Sequence, residues 1–224
     1  MIGNPAQEAL HRARRKAALA EDEAAKQAYI EVLRLDPTSL AALSELGALA
    51  SGTGHRSAAR TAYLQAIHHH PDNPVVRAGL ANLLVEDGDL ANARLHYQAA
   101  LDVDPDFPAA HQGLARLLTE LGDPAAAEHW QKGFAGHAVV KQRYRGTGPG
   151  VPLLLLVSAR GGNVATRQWI DDRVFAVTAI HADFCDPARP LPPHVLVVNA
   201  IGDADRAGML WIARRRCWRG RRGR

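Results

Sequence analysis

The chain has 224 residues, 47% hydrophobic and 22% charged, a balance that excludes a wholly disordered polypeptide. Its longest apolar run, residues 151–159, is far short of the roughly 20 residues that span a bilayer, and the N-terminal segment carries charges where a secretory signal has its apolar core. The formal charge of +4 belongs to the last eleven residues: seven arginines lie there, so the rest of the chain stands at −3.

From the start to about residue 135, independent residue classes recur with one period. Pro37, Pro71 and Pro105 are 34 residues apart, as are Gly54, Gly88 and Gly122, and Leu46, Leu80 and Leu114. Tyr29, Tyr63, Tyr97 and Trp130 recur in step, each preceded four residues earlier by Ala25, Ala59, Ala93 or Ala126. Each class has a job in a helix pair. The leucine points into the hairpin, and the glycine allows a tight turn. The alanine lets helices approach, with the aromatic one turn on along the same face. The proline stops the second helix.

A 34-residue period with this order resembles the tetratricopeptide (TPR) motif over residues 6–135, in repeats 6–39, 40–73, 74–107 and a shortened fourth from 108. Ala20 replaces the turn glycine in the first repeat, and the fourth lacks one residue after Gly122. The resemblance implies an α-solenoid of about four helix pairs that binds a peptide or helix in a concave groove. By the family's register that groove receives Leu10, Arg14, Ser44, Ala48, Ala78, Asn82, Val85, Gln112, Arg116 and Thr119. The alternative is that these residues are simply solvated. A carboxylate clamp of the family's kind needs several lysines and asparagines here, and only Asn82 fits.

His68, His69 and His70 precede Pro71 in the last turn of a helix. Adjacent side chains point apart, so a helix-end cap is favoured over a metal site, and no metal is expected. Cys185 and Cys217 are too isolated for a disulfide framework or zinc, and the sequence predicts a cytoplasmic protein without a membrane segment.

The pattern changes at about residue 140. Residues 141–150, basic and glycine-rich, read as a linker between an array spanning 1–140 and a second domain spanning 151–205. Strands are expected over 151–159, 175–184 and about 194–203, with helices over 164–172 and 204–213, which together suggest a partial doubly wound α/β domain. Two loops fall at expected carboxyl ends of strands. Gly161, Gly162 and Asn163 lie in one, and Asp203 and Asp205 in the other. Neither is a phosphate-loop or dinucleotide fingerprint, and turns and caps are favoured over a ligand site. The strings LLLLVSARGGNVATRQWIDDRVFAVT and LPPHVLVVNAIGDAD resemble the domain that follows TPR repeats in certain bacterial proteins and precedes an ATP-grasp fold. That resemblance implies docking on an ATP-grasp domain in cis or in trans. It transfers no catalytic residue.

Residues 206–224 depart from this pattern, and two readings stay open. One is a basic arm for nucleic acid or an anionic membrane, with arginines to neutralise phosphates and Trp211 and Trp218 to stack on bases. The other, which composition favours, is out-of-frame translation of a GC-rich gene. The expected function is therefore a protein-binding module without cofactor or catalysis. The alternatives are the N-terminal part of an ATP-grasp, ligase-like enzyme, and nucleic-acid binding through the tail.

Overall fold

A computed structural model describes residues 4–166, 168–186 and 188–202. Two compact units meet at Gly133 and Phe134. The expected helix over 204–213, Asp203, Asp205 and the arginine tail lie outside the described residues.

The first unit is a run of helical hairpins: α1 (Pro5–Ala18), α2 (Asp22–Leu35), α3 (Leu40–Gly52), α4 (Arg56–His69), α5 (Pro74–Glu86), α6 (Leu90–Val103), α7 (Pro108–Glu120) and α8 (Ala126–Phe134). Start signals sit where the sequence puts them. Asn4, Asn73 and Asp89 accept backbone N–H groups at the heads of α1, α5 and α6, and proline opens α1, α5 and α7.

The two kinds of break are distinct. First helices end in a left-handed turn, with φ of +79° at Gly54, +80° at Gly88 and +69° at Gly122. Ala20 takes the same conformation at +56° although it carries a side chain. Second helices end on Asp36, His70 and Asp104, whose φ values of −140°, −134° and −129° are extended. The proline that follows each of them excludes a helical conformation there. The carbonyls of these three residues then accept the N–H of Ser39, Asn73 and Phe107 to close a turn.

Small residues hold the hairpins close. Ala25, Ala59 and Ala93 are completely buried, and Tyr29, Tyr63, Tyr97 and Trp130 are buried one turn later. The ring of Tyr63 lies against both Gly47 of α3 and Gly79 of α5, so one aromatic seals two successive hairpins. Leu80 and Leu114 are buried as expected, while Leu46 is half-buried.

In the second unit, β1 (Val139–Lys141), β2 (Val151–Val157), β3 (Phe175–His181) and β4 (Leu196–Asn199) form one sheet in the order β1-β3-β2-β4. β3, β2 and β4 are parallel, and β1 joins β3 antiparallel. Leu153, Leu155, Val177 and Ala200 form the core of one face, with Ile170 and Val198 against it. Leu154 and Ile180 are buried too, so the centre of the sheet is apolar on both faces, as parallel strands require.

Two local differences from expectation appear. Among the described residues, segment 164–172 forms no helix; Trp169 N–H and Ile170 N–H close a turn on the Thr166 carbonyl. Its apolar residues explain this: Ile170 packs inward, but Val164 and Trp169 are exposed, so no helical stripe forms. Segment 141–150 is anchored along its length. It starts inside β1, Gln142 N–H donates to Val177 O, and Arg145 pairs with Asp172 at 2.7 Å.

Candidate protein-binding surface

The first helix of each hairpin repeats one pattern of exposure. Ala13, Gly47, Ala81 and Ala115 are buried, and the next residue in each case, Arg14, Ala48, Asn82 and Arg116, is exposed. Four equivalent positions on α1, α3, α5 and α7 therefore form a solvent-facing row. Thr119 is exposed as well, and Leu10, Ser44, Val85 and Gln112 are half-buried. Ala78 departs from the expected groove set: it is only 3% exposed, packed in the core.

Several of these residues also hold the array together. Arg14 makes a two-pronged ion pair with Glu45 of α3, its Nε 3.0 Å from each carboxylate oxygen, and Tyr29 donates its hydroxyl to the same carboxylate at 2.9 Å. Burial and that bond push the Tyr29 phenol well above its usual range. Tyr97 donates to Asn82 Oδ1 at 2.6 Å, which leaves the amide nitrogen of Asn82 as a donor toward solvent. Burial pushes the Tyr97 phenol up to about 12, opposed by the nearby Arg116 guanidinium. Gln112 donates to the Gly133 carbonyl at 2.7 Å, and the Trp130 indole donates to Thr119 Oγ1 at 3.0 Å. The row is thus mixed: Asn82 and Arg116 present polar donors, Ala48 presents none, and the Arg14 charge is matched by Glu45.

The two expected ligand loops lie together. Gly202 N–H donates to Gly162 O at 2.8 Å and Val164 N–H to Ala200 O at 2.6 Å, with Asn163 opposite Ile201. Asn163 turns back onto its own loop: Oδ1 accepts from Ser158 N–H and Nδ2 donates to Ser158 O, both at 2.7 Å. Gly161 and Gly162 take φ of +93° and +72°, which only the absence of a side chain makes easy. The loop is a self-satisfied turn.

His70 Nε2 lies 2.6 Å from the Thr38 carbonyl, linking two inter-repeat turns, and the His68 and His69 rings meet edge to face at 5.0 Å. Sequence reasoning missed two relationships that involve other histidines. His111 and His129 approach at 2.8 Å between their Nδ1 atoms, and half-buried His96 feels the Arg77 charge, which with burial lowers its pKa. The partners lie 18 and 19 residues apart, and the two pairs align only after the gap that follows Gly122 is counted.

Residues 44–101 and 84–130 match two family profiles, each described as a tetratricopeptide repeat. MamA from Desulfovibrio magneticus RS-1 is similar in fold, at 22% identity and a TM-score of 0.52 over 59% of this chain and 75% of that one. A tetratricopeptide repeat protein from Parabacteroides merdae is 20% identical, with a TM-score of 0.53 over 60% and 54% of the two chains. An O-GlcNAc transferase mutant from Thermobaculum terrenum is 20% identical, with a TM-score of 0.56 over 77% of this chain and 36% of its own. No curated protein matches the chain. Among the described residues no helix is long and apolar enough to cross a membrane. With eight helices in 34-residue hairpins and the profile matches within them, the first unit is a solenoid of tetratricopeptide repeats.

Proposed function

We propose that the repeat array is a protein-interaction module that seats a peptide or helix against the first helices of its hairpins. The observation that carries this is the row Arg14, Ala48, Asn82 and Arg116, solvent-facing in every repeat while the residue before each is buried. Repeat arrays gain continuous binding surface from such equivalences, and small side chains such as Ala48 leave room for a partner's backbone. Peptides selected from a random library against the full chain, then measured by calorimetry, test the reading. Ala48→Arg together with Arg116→Ala should weaken the selected peptides at least about tenfold, or about 1.4 kcal/mol, with unchanged helicity. Unchanged affinity would move the binding site elsewhere on the protein.

One observation favours a second reading for residues 151–202: three parallel strands with β2 in the middle, where the chain crosses from β2 to β3 on one side and then from β3 past β2 to β4 on the other. That is the start of a doubly wound sheet, the architecture that the resemblance to a pre-ATP-grasp domain implies. On this reading the unit docks on an ATP-grasp domain and contributes no catalytic group. A purified ATP-grasp domain encoded beside or beyond this chain should bind it in sedimentation. Nucleotide binding by this chain alone would contradict the assignment.

A further inference from the structure

The seam inside each hairpin changes chemistry halfway along the array. At one pair of corresponding positions the first two repeats place Ala9 with Ala28 and Leu43 with Ala62, all buried. One and two periods further on, allowing for the residue missing after Gly122, those positions hold Arg77 with His96 and His111 with His129.

Arg77 and His111 perform the same local task. Arg77 Nε donates to the Pro71 carbonyl at 2.7 Å, and His111 Nε2 lies 2.9 Å from the Pro105 carbonyl. A carbonyl can only accept, so His111 carries its proton on Nε2 and leaves Nδ1 as an acceptor. The 2.8 Å contact then requires His129 to donate from its own Nδ1. His111 is 2% exposed. In the preceding hairpin, His96 Nδ1 is buried and makes no hydrogen bond.

The charged surroundings are mostly cationic. The charge of Arg77 on α5 acts on His96. Around His129 stand Arg94 of α6, and Glu128 and Lys132 of its own helix, with the His111 imidazole of α7 in hydrogen-bond contact. The one carboxylate among them, Glu128, is paired with Lys132 at 2.7 Å.

We infer that His96 and His129 make the second half of the array a pH-responsive segment. Neutral, they complete the α5–α6 and α7–α8 seams. Protonated, His96 sets a cation beside the Arg77 charge and His129 carries a cation in a half-buried seam that solvates it poorly, which loosens those hairpins, while the first two hairpins, sealed by alanine and leucine, are unaffected.

Burial holds both imidazoles below the ordinary 6.5, reinforced by Arg77 at His96 and by His111 at His129. The unfolded chain therefore binds these protons first. The stability they confer is complete above pH 6.5 and is lost as pH falls through the folded-state values. Each histidine can change the folding equilibrium by at most about tenfold per pH unit.

Hydrogen exchange on the full chain at about pH 7.5 and about pH 5, normalised to intrinsic rates, reads this directly. Protection in α5–α8 should fall at least about tenfold more than in α1–α4. His96→Ala with His129→Ala, which installs the alanine of repeats 1 and 2, should abolish the difference. An equal fall in all eight helices, or a fall that persists in the double variant, would overturn the inference. Should that variant not fold, imidazole NMR titration of the unmodified chain decides. Two values below 6.5 uphold the inference, and either histidine at or above 6.5 ends it.

Discussion

The Tyr97 ring occupies the space that a side chain at position 113 would fill, so the absence of a β-carbon on α7 is what admits the aromatic of α6. Tyr63 stands in the same relation to Gly79, where an added β-carbon would lie 2.6 Å from the ring. At the corresponding position one repeat earlier stands Glu45, which accepts the Tyr29 hydroxyl instead.

Gly113→Ala should therefore cost about 1–3 kcal/mol, because the ring is locked in a core with no room to shift. Gly52→Ala, at the end of α3 with nothing within 4 Å of the new carbon, is the control and should be neutral or slightly stabilising. Urea midpoints of the two variants separate packing from helix propensity.

The turn after α1 is strained by its side chain. Ala20→Gly should raise stability by up to about 1 kcal/mol by relieving the left-handed φ, and Gly88→Ala should lower it by a similar amount. Calorimetric melting of both variants checks the paired signs; a destabilised Ala20→Gly would mean that the alanine methyl packs usefully.

Glu45 gathers Arg14 and Tyr29 between the first two hairpins. Arg14 is about half exposed, so the ion pair is discounted for solvent, and Glu45→Ala should cost about 1 kcal/mol. A double-mutant cycle with Tyr29→Phe should show coupling that survives high salt, since the neutral hydroxyl bond is not screened as the ion pair is.

Tyr97 predicts alkaline sensitivity. Its phenol is pushed up to about 12, so the folded state retains a proton that the unfolded state releases near 10. That contribution is full below pH 10 and is lost as pH rises through about 12. Absorbance at the tyrosinate band should show Tyr97 ionising together with loss of helicity, and Tyr97→Phe should reduce that phase to the part contributed by Tyr29 and Tyr63, whose phenols burial also raises.

Among the described residues β4 ends the sheet, and its start is apolar and open to solvent: Val195, just before it, is 67% exposed and Leu196 and Val197 are about half exposed. Such an edge invites pairing between molecules. Val195→Lys should reduce concentration-dependent aggregation in light scattering without shifting the melt of the helical unit.

The helical unit was legible because one period fixes several residue classes at once, and each class has a single backbone consequence. Gly54, Gly88 and Gly122 marked the left-handed turns, and Ala20 was recognisable as the odd member, although only the backbone shows that it keeps the glycine conformation. The three parallel strands were legible from continuous apolar runs. β1 was not, because three exposed residues carry neither alternation nor an apolar run. Ala78 was misplaced because register alone does not say how close the neighbouring helices come. The histidine seam was hidden by sequence distance: His111 meets His129 across a turn, and nothing local to either residue announces the contact.

The extended residue ahead of each proline has a mechanical meaning. At Asp36, His70 and Asp104 the helical hydrogen-bond ladder is interrupted, so tension along the backbone is not carried by one continuous rod. Drawn from its two ends, the array should surrender one hairpin at a time. Each step would release 34 residues, about 110–120 Å of chain, so the extension curve would read out the repeat length.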